Sequence, residues 1–160
     1  MSTAEPSPTP GFLVYRLATK WQAAVDRAVS PFGITHAQYS VLASLRGMTR
    51  SGGRPSQREV ADRLGLDPVF ISKLVRTLEQ SGFVERRDHP TDARAFALGL
   101  TDAGTRTIDP AIKVVIALQD EFTAPLGGMS AKATAQFINS LQKLLAAPTS
   151  DHTHPERSHR

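Results

Sequence analysis

Apolar residues recur at a helical period along most of this chain, and the period breaks at clusters of Gly, Pro and short polar residues. Leu13, Leu17, Trp21, Ala24, Val25 and Ala28 form one stripe. It predicts a helix from Phe12 to about Val29, ended by Ser30-Pro31-Phe32-Gly33. Thr35 and Gln38 make a capping box for a second helix, which Tyr39, Leu42, Ala43 and Leu45 carry to Gly47; Ser51-Gly52-Gly53 then reads as a flexible loop. Ser56 and Glu59 make another capping box, Val60, Ala61 and Leu64 supply a short stripe, and Gly65 suits a left-handed stop. Two residues on, Asp67 is a good N-cap and Pro68 sits at the first helical position, so the turn between these helices is very short. The next helix runs from about Pro68 to Gln80 and stops at Gly82.

The pattern then changes. Phe83-Val84 and Phe96 to Leu100 have the content of short strands, and the polar run Arg87 to Arg94 between them belongs in a turn. Thr101 caps a further helix through about Ile108. Pro110 then either kinks that helix or restarts it with Asp109 as cap. Ala111 to Leu118 is apolar nearly all round and should be buried on more than one side. Pro125 and Gly127-Gly128 end it. Ser130 is the expected cap of a last helix, in which Ala133, Phe137, Leu141, Leu144 and Leu145 recur at helical spacing.

Helix, tight turn, helix, strand, loop, strand is the order of a winged helix-turn-helix, a reader of duplex DNA. The second helix of the pair divides as a recognition helix must. Ile71, Leu74, Val75 and Leu78 share one face; Val69, Ser72, Lys73 and Arg76 lie on the other. Short polar groups near its N-terminus suit base edges, and long basic ones suit phosphates or a guanine. Gln57, Pro68, Val69, Ser72, Lys73 and Arg76 are therefore the candidate DNA contacts of the helices. Arg94 is the candidate minor-groove contact of the wing, with Asp92 placed to orient it. The alternative for these residues is an ordinary solvated face.

Several of these stretches together resemble one family. The Ser56-x-x-Glu59-Val60-Ala61 helix, the run Leu78-Glu79-Gln80-Ser81-Gly82-Phe83-Val84, the Asp92-x-Arg94 wing and Leu98-x-Leu100-Thr101-x-x-Gly104 look like the MarR family of bacterial transcription regulators. Gly33-Ile34-Thr35-x-x-Gln38-Tyr39-x-Val41-Leu42 extends the likeness, which covers roughly 12–146. Pro110, inside what the family builds as one long helix, and the Ser51-Gly52-Gly53-Arg54 insert depart from it. The resemblance implies a dimer through terminal helices and a cleft for small aromatic acids. Candidate lining residues for such a cleft are Arg16, as a carboxylate partner, and Trp21, His36 and Tyr39 as flat or polar walls. Trp21 also lies on the core stripe, so simple packing is its other reading.

Composition narrows the function without changing the fold. Net charge is +4, but between Arg54 and Arg106 nine basic residues meet eight acidic ones, so phosphate attraction depends on placement rather than bulk charge. Cysteine is absent, which excludes disulfides and thiol sensing. No run approaches the ~18 apolar residues of a membrane span, and the Pro- and Ser-rich start is not a secretory signal; the cytoplasm is the expected site of action. No phosphate loop, metalloprotease motif or nucleophile-base set is present, so no enzyme, cofactor or metal centre is expected. His152, His154 and His159 lie in a polar tail that offers a metal no fixed frame.

The expected organisation is mainly α with a small two- or three-stranded β wing. Residues 1–10 and 148–160 are disordered tails, 35–101 is the winged helix-turn-helix, and 11–34 with 102–147 is a helical dimerisation region. The terminal helices carry more apolar surface than one small module can cover, which points to an obligate homodimer with two recognition helices about one DNA turn apart. The expected function is a sequence-specific transcriptional regulator. Its partners are double-stranded DNA, a second copy of itself and, for a repressor released from a pseudo-palindromic operator, a small aromatic carboxylate or phenol. A winged-helix protein-interaction module and an activator without a ligand are the alternatives.

Overall fold

The computed structural model describes residues 7–50, 52–88 and 96–148. Among the described residues six α-helices and one two-stranded sheet run in the order α1 (Pro10–Val29), α2 (His36–Arg50), α3 (Gln57–Leu64), α4 (Pro68–Gln80), β1 (Val84–Asp88), β2 (Phe96–Leu100), α5 (Asp102–Thr123) and α6 (Lys132–Ala146). The chain divides into two compact units, Met1–Leu118 and Gln119–Arg160, with α5 crossing the boundary.

Local chemistry sets the element ends. At α2, the Thr35 hydroxyl accepts from the Gln38 N–H and the Gln38 side chain accepts from the Thr35 N–H; the Asp26 carboxylate of α1 also takes the His36 N–H at 2.6 Å. At α3, Ser56 and Glu59 exchange the same pair of bonds, and Gly65 closes the helix at φ 63°. Asp67 Oδ1 accepts from the N–H groups of Val69 and Phe70, with Pro68 behind it, so α4 starts where the sequence places it. These caps each satisfy backbone donors that have no partner inside the helix.

Two expected helix ends need correction, and one pair of alternatives narrows. α2 does not stop at Gly47 but continues to Arg50. Gly47 lacks only a side chain, and the helix ends where Gly52 turns left-handed and donates its N–H to Thr49 O. Of the two alternatives at Pro110 the restart is excluded: one helix spans Asp102–Thr123 with Pro110 inside it, and Asp109, rather than capping, gives its carboxylate to Arg46. Ser130 does not cap α6. Ala131 occupies that position without a side-chain bond, while the buried Thr134 hydroxyl donates back to Gly128 O at 2.7 Å.

The core of the first unit is built from Val25 and Val29 of α1, Val41, Leu42 and Leu45 of α2, Val60 of α3, Ile71, Val75 and Leu78 of α4, Val84 and Leu98 of the sheet, and Ile108, Ala111 and Val115 of α5. Burying each Leu or Ile side chain contributes about 1.5–3 kcal/mol. β1 and β2 pair antiparallel from Val84 opposite Leu100 to Asp88 opposite Phe96. A third, single-bridge member lies alongside: Ser56 pairs with Ala97, and Leu98 donates its N–H to Pro55 O. The wing therefore grows directly from the helix-turn-helix.

Other apolar surface stays uncovered within one chain. Phe12 to Tyr15 at the start of α1, Val114 and Ile116 of α5, and Leu144 and Leu145 at the end of α6 are exposed, Leu145 at 86%. The expectation that Ala111 to Leu118 is buried on several sides holds in this chain for one face only. No helix is long and apolar enough to cross a membrane among the described residues.

Arg46 and Asp109 tie α2 to α5 through two hydrogen bonds of 2.7 and 2.9 Å. The hydrogen bond from Arg46 holds the Asp109 carboxyl below the usual carboxylate range; partial burial opposes this, and the charges of Arg46, Arg50 and Lys113 add to it. A depressed folded value means stability that is present above the unfolded value and lost as pH falls through the folded one. Asp109→Asn is expected to cost about 1 kcal/mol at neutral pH, a modest figure because both side chains are partly exposed. In paired melts the difference from the parent should narrow below about pH 4, the ordinary carboxylate value, and close as Asp109 protonates.

Candidate nucleic-acid interface

α4 shows water the face the sequence assigns to DNA. Pro68, Val69, Lys73 and Arg76 are exposed and Ser72 is half-buried, while Ile71, Val75 and Leu78 are fully buried beneath them. Ser72 sits at the seam of the two faces. Gln57 opens α3, half-buried, at a helix end whose N–H groups favour an anion. Asp92 and Arg94 lie outside the described residues, and so does the geometry of the wing tip.

The base of the wing is held by contacts that the sequence pattern does not show. Arg86 of β1 bridges to Glu79 in the last turn of α4 at 2.9 Å, and its guanidinium lies 5.9 Å from the centre of the Phe96 ring on β2. One arginine thus joins the end of the recognition helix to both strands. Arg87 pairs with Glu85 along the same strand. Residues seven apart across a turn leave no periodic trace, which is why the pairing of Glu79 and Arg86 is illegible without the fold. Leu66 and Phe70, absent from the candidates named from sequence, are exposed on either side of the start of α4. Their only signal in the sequence is that they fall outside the buried stripe.

A profile of the MarR family matches residues 32–95, from the turn before α2 to the wing. A relative from Bacillus subtilis, described as the uncharacterized HTH-type transcriptional regulator YdcH, is 33% identical over 140 residues, spanning 88% of this chain and 92% of the relative. The chain belongs to the MarR family. A mutant MarR from E. coli complexed with operator DNA is 26% identical with a TM-score of 0.73, over 84% of this chain and 92% of that one. The transcriptional repressor CouR, bound to a 23-mer DNA duplex, is 27% identical with a TM-score of 0.73, over 92% of this chain and 99% of that one. As a MarR-family member with this winged helix, the protein is a DNA-binding transcriptional regulator.

The four ligand candidates of this MarR-family chain are spread over α1 and the start of α2. Arg16 is exposed, with its guanidinium 5.8 Å from the centre of the Phe12 ring one turn earlier. Trp21 and Tyr39 are half-buried and pack against the core, and burial pushes the Tyr39 hydroxyl above its usual value, so it stays a neutral hydrogen-bonding group. His36 is half-buried in the first turn of α2. Two surface hollows of about 330 and 380 Å3 lie elsewhere in the first unit, and none of the four lines either.

Proposed function

We propose that this MarR-family regulator acts in the cytoplasm as a homodimeric repressor of a pseudo-palindromic operator and is released from it by a small aromatic carboxylate or phenol. The observation that carries the DNA part is the exposed face of α4, with Val69, Lys73 and Arg76 outward on a helix that Asp67 caps at one end and Arg86 ties to the wing at the other. Such a helix meets a major groove without first having to be ordered, so less binding energy is lost to entropy. Val69 and Ser72 take base edges, Gln57, Lys73 and Arg76 take phosphates or a guanine, and Arg94, oriented by Asp92, enters the minor groove. The repressor reading is supported by the stated role of CouR.

The dimer is supported by the apolar residues of α1, α5 and α6 that one chain leaves in water. Pairing through 11–34 and 102–147 leaves 35–101 free to face the duplex. Release follows from linkage. A ligand held by Arg16, Trp21, His36 and Tyr39 that favours a dimer with wrongly spaced recognition helices weakens DNA binding by its own coupling energy, about 1–3 kcal/mol.

Selection of genomic fragments by the purified protein, with and without salicylate-like acids, tests both parts. A palindromic consensus should emerge, fade with the acids, and persist in their presence for Arg16→Ala. Arg94→Ala should weaken the selected operator roughly tenfold or more, the effect of losing about 1–3 kcal/mol of groove contact. Unchanged affinity in a folded Arg94→Ala protein would remove the wing from the interface, and enrichment that ignores every acid would remove the ligand.

A further inference from the structure

Behind the wing, on the side away from α4, the first unit holds a hollow of about 330 Å3. Its lining comes from five parts of the chain: Arg46 and Thr49 of α2, Arg54 of the loop before α3, Glu85 and Arg87 of β1, β2 from Ala97 to Leu100, and Thr105 of α5. Glu85 and Arg87 share the face of β1 opposite Val84 and Arg86, so this surface is separate from the one facing α4. We infer that this hollow is a subsite for a phosphate-class anion.

Charge is the first reason. Arg46, Arg54 and Arg87 line the hollow. The described carboxylates there are Asp109, held by Arg46, and Glu85, held by Arg87. Three arginines against two carboxylates leave a net of one positive charge, carried by Arg54. Among the described residues, none forms an ion pair with Arg54.

Placement is the second reason. Arg54 belongs to the insert, yet its backbone neighbours are fixed: Gly53 donates to Met48 O at 3.2 Å, and Pro55 accepts from the Leu98 N–H at 2.8 Å. A side chain on Gly53 would meet Met48 O at 2.7 Å, so the loop is folded tightly back onto α2. Arg54 therefore starts from a set position, and less ordering entropy opposes binding. Thr105, in the first turn of α5, adds a hydroxyl near the positive end of a helix. A tetrahedral, multiply charged group accepts from several guanidinium groups at once. Among the described residues no ring lines the hollow, so none of them offers an aromatic acid a stacking wall there.

The phosphate has two sources: the backbone of duplex flanking the bound operator, or a free phosphate compound. Both are read with wild type, Arg54→Ala and Arg54→Lys, after checking that the three proteins melt alike in chloride. In the first arm, salt titrations use operator fragments with short and long flanks. A flanking phosphate predicts that Arg54→Ala lowers the salt slope by ~0.9 on long fragments alone, the value for one phosphate contact, and that Arg54→Lys restores it. In the second arm, without DNA, pyrophosphate is compared with chloride at equal ionic strength. A free ligand predicts a rise in wild-type Tm that Arg54→Ala loses. The second arm reads out even if no operator were found, so failure here and failure of the DNA-binding reading are separable. Equal slopes on every fragment together with equal pyrophosphate responses overturn the assignment.

Discussion

Gly104→Ala is expected to lower Tm by roughly 6–12 °C, equivalent to a loss of about 3 kcal/mol in a chain of this size. Helix propensity alone points the other way, since alanine is favoured over glycine inside a helix by about 1 kcal/mol. The packing reverses the sign. Gly104 lies buried in the first turn of α5, directly against the backbone of Phe83, and an added Cβ would fall well inside van der Waals distance of the Phe83 carbonyl oxygen. That oxygen cannot move freely, because it accepts from the Thr101 N–H at 3.1 Å. The Thr101 hydroxyl completes the joint, donating to Gly82 O at 2.6 Å and accepting from the Gly104 N–H at 3.0 Å. The end of the recognition helix, the root of the wing and the start of the long helix are thus fastened at one point. DNA affinity should fall with stability, even at temperatures where the variant remains folded. A variant that melts at or above the parent's temperature would show that α5 does not approach Phe83 this closely.

The second large effect concerns assembly. Leu144→Glu combined with Leu145→Glu should turn a dimer into monomers in sedimentation equilibrium, moving the mass from twice 17.3 kDa to once. Both leucines are exposed in the single chain, at 65% and 86%, so glutamate there disturbs no packing within it. Circular dichroism should show the helices retained. If the two leucines are buried by a partner copy, the double change places two carboxylates of each protomer in an apolar interface, which pairing cannot accommodate. Operator affinity should then fall by roughly a hundred- to ten-thousand-fold, because a single half-site loses the linkage to its twin. A doubly substituted protein that stays dimeric would move the pairing surface elsewhere on α1 or α5.

What was legible from residues alone was local. The capping boxes at Thr35 and Ser56, the Asp67 cap with Pro68 behind it, and the left-handed glycines 65 and 82 all act within a few residues. A four-residue signal specifies a helix end because both hydrogen-bonding partners are in it. The division of α4 into a buried and an exposed face was legible for the same reason: one helix carries its own period. At Asp109 the deciding partner lay far along the chain. Asp109 was free to cap only as long as Arg46, 63 residues earlier, was out of sight. Gly47 looked like a stop until α2 was seen to continue through it to the turn at Gly52.

The candidate interface divides in the same way. Val69, Lys73 and Arg76 could be named from α4 by itself, because an exposed face is whatever the buried stripe leaves. The Glu79–Arg86–Phe96 contact could not, since it exists only once β1 and β2 are in register. Nor could the hollow lined by Arg46, Arg54 and Arg87, which draws on five segments.

By itself, then, the sequence determined the order of the elements, most of their ends and the polarity of the recognition helix, because these follow from hydrogen bonds and periodicity over short separations. Only the tertiary structure decided that α5 runs through Pro110, that Gly104 must have no side chain, and which arginines are tied and which face open water. Those depend on distances between residues that the linear order leaves unspecified.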